Sequence, residues 1–426
     1  MAEIVLPFLL DFKTMLLECS VKLENKQKVN NAINYIAVLY AFCLPISRAG
    51  IVFTSALIVL LWIIEGGFKE KAITLCKNYF VAATLILTSY MLLTLLWSDG
   101  SIDEGLYPFK RLWYYIVLFV FVTSLKKEFI PHMLTAFISA MFISEILSFG
   151  MFFEFWTMKH GTPSDPTPFM NHLEYSYYLC ATSTLLLVKY LLEKNNNRAK
   201  VMYGFLALTT IINLFIIDGR AGQVAFLLVV LALVIFNMKN KVKSLFIASV
   251  LLLSMVLSAT ALSPSFNDRM THGVSELKSF IDDGTYSGSW GARLEFWDIG
   301  LTAVKQEPLL GIGIGDIASN LREGKQTSDT IHNVPTGGYH SDFLETIVAG
   351  GLVGAILFIG IFVFLWRAKV RDPLVNNMRI IVTVLFIFGL IADNFLRAQF
   401  TIVLFTFFVG IVFAQQRYEK TSTLSS

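Results

Sequence analysis

Three residues combine a reactive type with a place where chemistry could occur: Arg220, Arg293 and His340. Arg220 stands in Asp218-Gly219-Arg220-Ala221-Gly222, between two strongly apolar runs. A guanidinium's planar fork suits two parallel contacts to a diphosphate, and flanking glycines let a ligand approach the backbone. The same arginine could instead snorkel to lipid headgroups or bond Asp218. Arg293 precedes Trp297 by four residues in Ser289-Trp290-Gly291-Ala292-Arg293-Leu294-Glu295-Phe296-Trp297, which puts both on one helical face. An arginine beside aromatic rings can hold a sugar phosphate; stacking on Trp297 or pairing with Glu295 or Glu276 is the plainer alternative. His340 lies in Tyr339-His340-Ser341-Asp342-Phe343-Leu344-Glu345. An imidazole accepts a hydroxyl proton near neutral pH once another group orients its ring, and Asp342 or Glu345 could do so. A satisfied interfacial histidine is the commoner case, and His332 competes for the role. Trp297, His332, Asp342 and Arg397 are accessory candidates.

The elements that must position these residues are set by composition. Of 426 residues, 55% are hydrophobic and only 15% charged, and the mean hydropathy is +0.64. A soluble chain of this size would carry far more charge, so the expected class is an all-α integral membrane protein. Each crossing needs roughly 20 apolar residues, and hydropathy gives about twelve spans. They fall near 32–46, 51–66, 79–97, 112–125, 133–156, 172–192, 201–217, 223–237, 245–262, 342–366, 380–393 and 400–414. With both termini inside, the inner segments and bordering helix ends hold 22 of the 34 lysines and arginines. The short outer segments hold six, namely Arg48, Lys110, Arg111, Lys159, Arg220 and Arg397. That bias places both termini in the cytoplasm. Residues 1–31 read as a cytoplasmic amphipathic segment with no cleavable signal peptide, and 416–426 as a cytoplasmic tail. Spans one to nine occupy 32–262 and the last three 340–415. Between them, 263–339 is polar, glycine-rich and long enough to fold into a small helical outer domain, with a helix over Ala292–Lys305 limited by Pro308.

Several other readings are weak. Gly311, Gly313 and Gly315 lack the spacing and the preceding strand of a dinucleotide site, and no GxxxxGK[ST] occurs. His332 and His340 have no convincing third ligand for zinc. Cys19, Cys43, Cys76 and Cys180 are scattered, without a disulfide or metal pattern. A net charge of +3, spread among loops, argues against nucleic-acid binding. The spans lack the paired mid-depth charges of an ion-coupled transporter, Asp393 and Glu345 being the nearest candidates. No repeat of 20 to 50 residues is evident.

Taken in order, the Asp218–Gly222 motif, Arg293 before Trp297, Pro308 with Gly311/Gly313/Gly315, and His340 before a glycine-punctuated span resemble the shared C-terminal region of O-antigen ligases and O-antigen polymerases. The resemblance covers roughly Ile211 to Gly360. It implies a metal-independent, inverting glycosyltransferase of the bacterial inner membrane, active on the periplasmic face and using an undecaprenyl-diphosphate-linked glycan, with no soluble cofactor. It further implies that Arg220 and Arg293 hold the lipid diphosphate while His340 activates the acceptor. Lipid A-core is the first acceptor expected, as in the ligases; a growing glycan, as in the polymerases, and a protein hydroxyl follow. The main alternative from another class is a flippase for lipid-linked sugars, and a non-catalytic membrane protein is the plainest.

Overall fold

The computed structural model describes residues 25–158, 160–240, 242–243, 246, 249–250, 264–284, 286, 288–324 and 338–424. The helices are α1 (25–43), α2 (Arg48–Glu65), α3 (Phe68–Cys76), α4 (Tyr79–Leu93), α5 (Ile102–Leu106), α6 (Tyr115–Ser124), α7 (Ile130–Phe152), α8 (His172–Leu192), α9 (Asn197–Ile216) and α10 (Arg220–Asn237). They continue with α11 (Pro264–Asp283), α12 (Gly288–Gln306), α13 (Ile317–Gly324), α14 (Asp342–Trp366), α15 (Pro373–Ala392) and α16 (Gln399–Leu424). No strand occurs among the described residues. Local chemistry explains many of the starts. Ser47, Asn78, Asn171, Asn196, Ser341 and Asp372 each accept a first-turn N–H and cap the helix that follows, and Pro131 and Pro373 occupy first-turn positions where no N–H is needed.

Among the described residues, nine helical stretches are long and apolar enough to cross a membrane: Arg48–Glu65, Tyr79–Leu96, Ile102–Ser124, Lys127–Phe152, Asn197–Ile216, Arg220–Asn237, Asp342–Trp366, Pro373–Ala392 and Gln399–Ser422. The chain is thus an all-α, multi-span membrane protein. Of the other spans expected from hydropathy, 32–46 falls largely within α1 and 172–192 coincides with α8, while 245–262 lies almost wholly outside the described residues. Helix α8 carries its polar side chains inward. Tyr175, Tyr177 and Tyr178 are fully buried, because α8 touches α7, α9, α10, α15 and α16. The expected C-terminal tail continues α16 as helix. There Arg417 donates to the carbonyls of Val122 and Leu125, and Glu419 accepts the N–H groups of Arg371 and Asp372 at 2.6 and 3.1 Å.

Helix α14 is broken at Gly351, whose φ of +59° and ψ of −154° are not helical. A break exposes carbonyls that lipid cannot satisfy, so protein must. The segment after α12 does this. Ile312 N–H donates to Val348 and Gly313 N–H to Ala349, at 3.0 and 3.1 Å, while Leu352 N–H donates back to Pro308 at 2.9 Å. The Tyr90 hydroxyl takes the Gly350 carbonyl at 2.8 Å. The alternating glycines of 311–315 therefore serve backbone-to-backbone docking. A Cβ on Gly351 would lie 2.3 Å from the Leu309 carbonyl oxygen, in a left-handed conformation besides. Gly351→Ala is expected to cost at least about 2 kcal/mol, read as a lower thermal midpoint of the purified protein.

Candidate active site

His340 is held by the turn that precedes α14. Its φ of +52° is one of two left-handed values at non-glycine residues among those described. Gly338, also left-handed, brings the backbone so close that an added Cβ would sit 1.6 Å from Glu345 Oε1. Glu345 accepts the Tyr339 N–H at 3.0 Å, and the Tyr339 hydroxyl donates to Asn320 Oδ1 at 2.6 Å. The turn is thereby clamped from α14 on one side and α13 on the other.

The partner of His340 comes from the end of α15. His340 Nδ1 lies 3.2 Å from Asp393 Oδ1, and Arg293 Nη2 lies 3.6 Å from Asp393 Oδ2. One carboxylate thus joins the histidine to the arginine, using a different oxygen for each. Phe296, one turn after Arg293 on α12, stacks on the imidazole with ring centroids 5.5 Å apart and planes 22° apart. Asp393 is fixed by its neighbours. Phe395 sits in a notch over Gly389, edge-on to Tyr177 at 4.2 Å and to Phe386 at 4.8 Å. With little hydrophobic drive inside a bilayer, such close aromatic and glycine packing holds the bundle here.

Asp342 and Glu345, the orienting groups expected from sequence, are engaged elsewhere. Asp342 Oδ2 accepts the Leu396 N–H at 2.8 Å, and Glu345 pairs with Arg397. Both carboxylates belong to helix α14 and are buried in these contacts, and it is Asp393 that takes the imidazole Nδ1. Arg397 lies between two adjoining cavities. One, of about 130 Å³, is walled mainly by apolar groups such as Leu87, Phe109, Phe358 and Phe405, with Asp342 and Glu345 among its polar lining. The other, of about 160 Å³, is lined by Asp103, Glu104, Tyr107 and Gly338. Trp297 is packed against the neighbouring apolar cluster, with its indole N–H buried and without a hydrogen-bond partner among the described residues. His332 lies outside the described residues.

Arg220 opens α10. Gly219 and Gly222 leave no room for a Cβ against Ser176 of α8, so α10 starts tightly packed, and Asp165 Oδ1 accepts the Asp218 N–H at 3.0 Å. Its level follows from helix register. Asn237, at the far end of α10, donates to Asn377 near the start of α15 at 2.6 Å, so the two helices are antiparallel. Counting back to Arg220 and the same number forward from Asn377 reaches Asn394, beside Asp393. Arg293 and His340 are therefore in one contact network, and Arg220 stands at the same height on the adjacent helix. Sequence reading missed two supports. Asp393 is 53 residues from the histidine it holds. Asp165 lies in the Thr162-Pro163-Ser164-Asp165-Pro166 connection, whose proline-rich polarity was the available signal.

Burial raises the Asp393 carboxyl, but the hydrogen bond and charge of His340, the Asn394 N–H and Arg293 outweigh it and hold the group below the usual carboxylate range. A depressed value stabilises the fold above the unfolded carboxylate pKa of about 3.9, and that stabilisation is lost as pH falls through the folded value. An ionised Asp393 can only accept, so the proton between it and the imidazole belongs to Nδ1, and it is in the neutral form of the ring that the lone pair lies on Nε2 and can act as a base.

Residues 205–359 match the family model described as O-antigen ligase. The match includes Arg220, Arg293 and His340 and ends before Asp393. An uncharacterized protein of Haemophilus influenzae is 28% identical over 185 residues, covering 42% of this chain and 46% of that protein. The chain thus matches about half the length of this relative.

Proposed function

We propose, from the premise that residues 205–359 carry an O-antigen ligase domain, that the chain transfers glycan from undecaprenyl diphosphate to lipid A-core at the periplasmic face of the bacterial inner membrane. The observation that carries the reading is the shared carboxylate of Asp393, which joins His340 to Arg293. In this scheme Arg293 and Arg220 hold the donor diphosphate. His340 Nε2 takes the proton of the acceptor hydroxyl as its oxygen forms a bond to the anomeric carbon. The bond from that carbon to the diphosphate oxygen breaks with its electron pair, and undecaprenyl diphosphate leaves, the configuration being inverted. The leaving group is good already, so the protein supplies position, charge stabilisation and one proton acceptor. Asp393 is a positioning residue. Arg397 is an accessory group at the wall of the apolar cavity.

The O-antigen polymerase reading, in which the acceptor is another lipid-linked glycan, uses the same groups. Cells lacking the chain separate the two. Loss of all glycan from lipid A-core, with lipid-linked polymer accumulating, supports the ligase; lipid A-core still capped by a single repeat unit supports the polymerase. Cells that keep full-length glycan on lipid A-core contradict both.

A further inference from the structure

Helix α11, which precedes the helix of Arg293, divides sharply into two faces. Phe266, Met270, Val274, Leu277 and Ile281 stand four, four, three and four residues apart and so form one apolar stripe by helical register. Asp268, His272, Ser275, Ser279 and Asp283 fall on the opposite face. The protein leaves the stripe open: Val274, Leu277 and Ile281 are 58%, 46% and 68% exposed. Helix α12 packs on the flank instead. Phe280 stacks on Tyr286 with ring centroids 5.2 Å apart, the Tyr286 hydroxyl donates to Asp298 Oδ2 at 3.2 Å, and Gly288 leaves no room for a Cβ against the Glu276 carboxylate.

The level of α11 follows from α12. Arg293 meets Asp393 just past the end of α15, and Phe296 stacks on His340 just before the start of α14, so both stand at the common rim of two membrane-crossing helices. Gly288, where α12 begins, is therefore at most roughly 7 Å farther out, at the helical rise of about 1.5 Å per residue. At its other end α11 follows at once the run 245–262 that hydropathy reads as a span. Both ends thus lie near the bilayer surface, where an amphipathic helix buries its apolar face at the boundary of headgroups and acyl chains. We propose that α11 lies in the lipid leaflet on the His340 side, with Val274, Leu277 and Ile281 among the lipids, and braces α12 from there. Exposed Lys278 borders the stripe and its stem can carry the ammonium up to lipid phosphates. With four acids against two bases, the helix is drawn in by apolar area and needs no anionic lipid.

The test places the full chain in nanodiscs of phosphatidylcholine alone, carrying Ile281→p-benzoylphenylalanine or Asp283→p-benzoylphenylalanine. Both positions are exposed, so the fold tolerates the probe. After irradiation the adducts are identified by mass spectrometry, and Ile281 is expected to yield at least about tenfold more lipid adduct than Asp283, which shares the helix but not the stripe. A second arm needs no substitution: a phosphatidylcholine with its photoreactive group near the glycerol labels residues 270–278 of the unaltered protein. Equal lipid yields at the two positions, an unlabelled 270–278 segment, or adducts from Ile281 to a second copy or another segment of this chain in place of lipid overturn the proposal.

Discussion

Asp393→Asn is expected to slow glycan transfer by about 10²–10⁴-fold while the protein stays folded, the range that a positioned general base contributes. The substitution conserves shape, so the notch over Gly389 and the aromatic contacts of Phe395 remain. What changes is the proton. An amide can present N–H to the imidazole, which favours the tautomer with hydrogen on Nε2, and the nitrogen facing the acceptor then has no lone pair to use. The loss should appear in the rate of a single turnover and little in donor affinity. Near-normal turnover in a folded Asp393→Asn protein would falsify the role given to His340. A second readout comes from acid stability, since the variant lacks the carboxylate whose contribution is lost as pH falls.

Arg293→Lys should lose about 10²–10³-fold in turnover, comparable to removing one donor from an oxyanion site, although it keeps the charge. Lysine's ammonium is a point charge. It lacks the fork that can hold Asp393 with one edge and a diphosphate with the other, at a side chain still 40% exposed to a ligand. Arg220→Ala leaves the contact between Asp393 and His340 untouched and should act mainly on donor affinity. Measured with a lipid-diphosphate donor at varied concentration, the two variants should separate, Arg293→Lys in turnover and Arg220→Ala in KM. Normal kinetics for both would place the diphosphate elsewhere, with the exposed arginines serving headgroups instead.

Much of this arrangement was legible because the bilayer makes sequence speak plainly. The 25-residue run Asp342–Trp366 is one helix with the bounds that hydropathy gives it, since an apolar stretch of that length has few other options. Its break at Gly351 was not legible. Two adjacent glycines permit a kink, but only the docked backbone of 308–313 makes one stable. Helix α8 shows another limit: its inward polar side chains lower the hydropathy of a helix that is surrounded by protein. At the site, residue type and order pointed to Arg220, Arg293 and His340. For the group that orients the His340 ring, nearness in sequence points to Asp342 or Glu345. Helix geometry turns those two toward Leu396 and Arg397 and leaves the imidazole to Asp393.

The most direct measurement is transfer of glycan from purified undecaprenyl-diphosphate-linked donor to purified lipid A-core by the isolated chain, without ATP and with a chelator present, beside His340→Ala. The proposed mechanism predicts transfer by the unaltered protein, with inverted configuration at the anomeric carbon, and its loss by at least about 10²-fold in the variant. Transfer that survives in His340→Ala, or none at all from folded protein offered either lipid A-core or a second lipid-linked glycan, would contradict it.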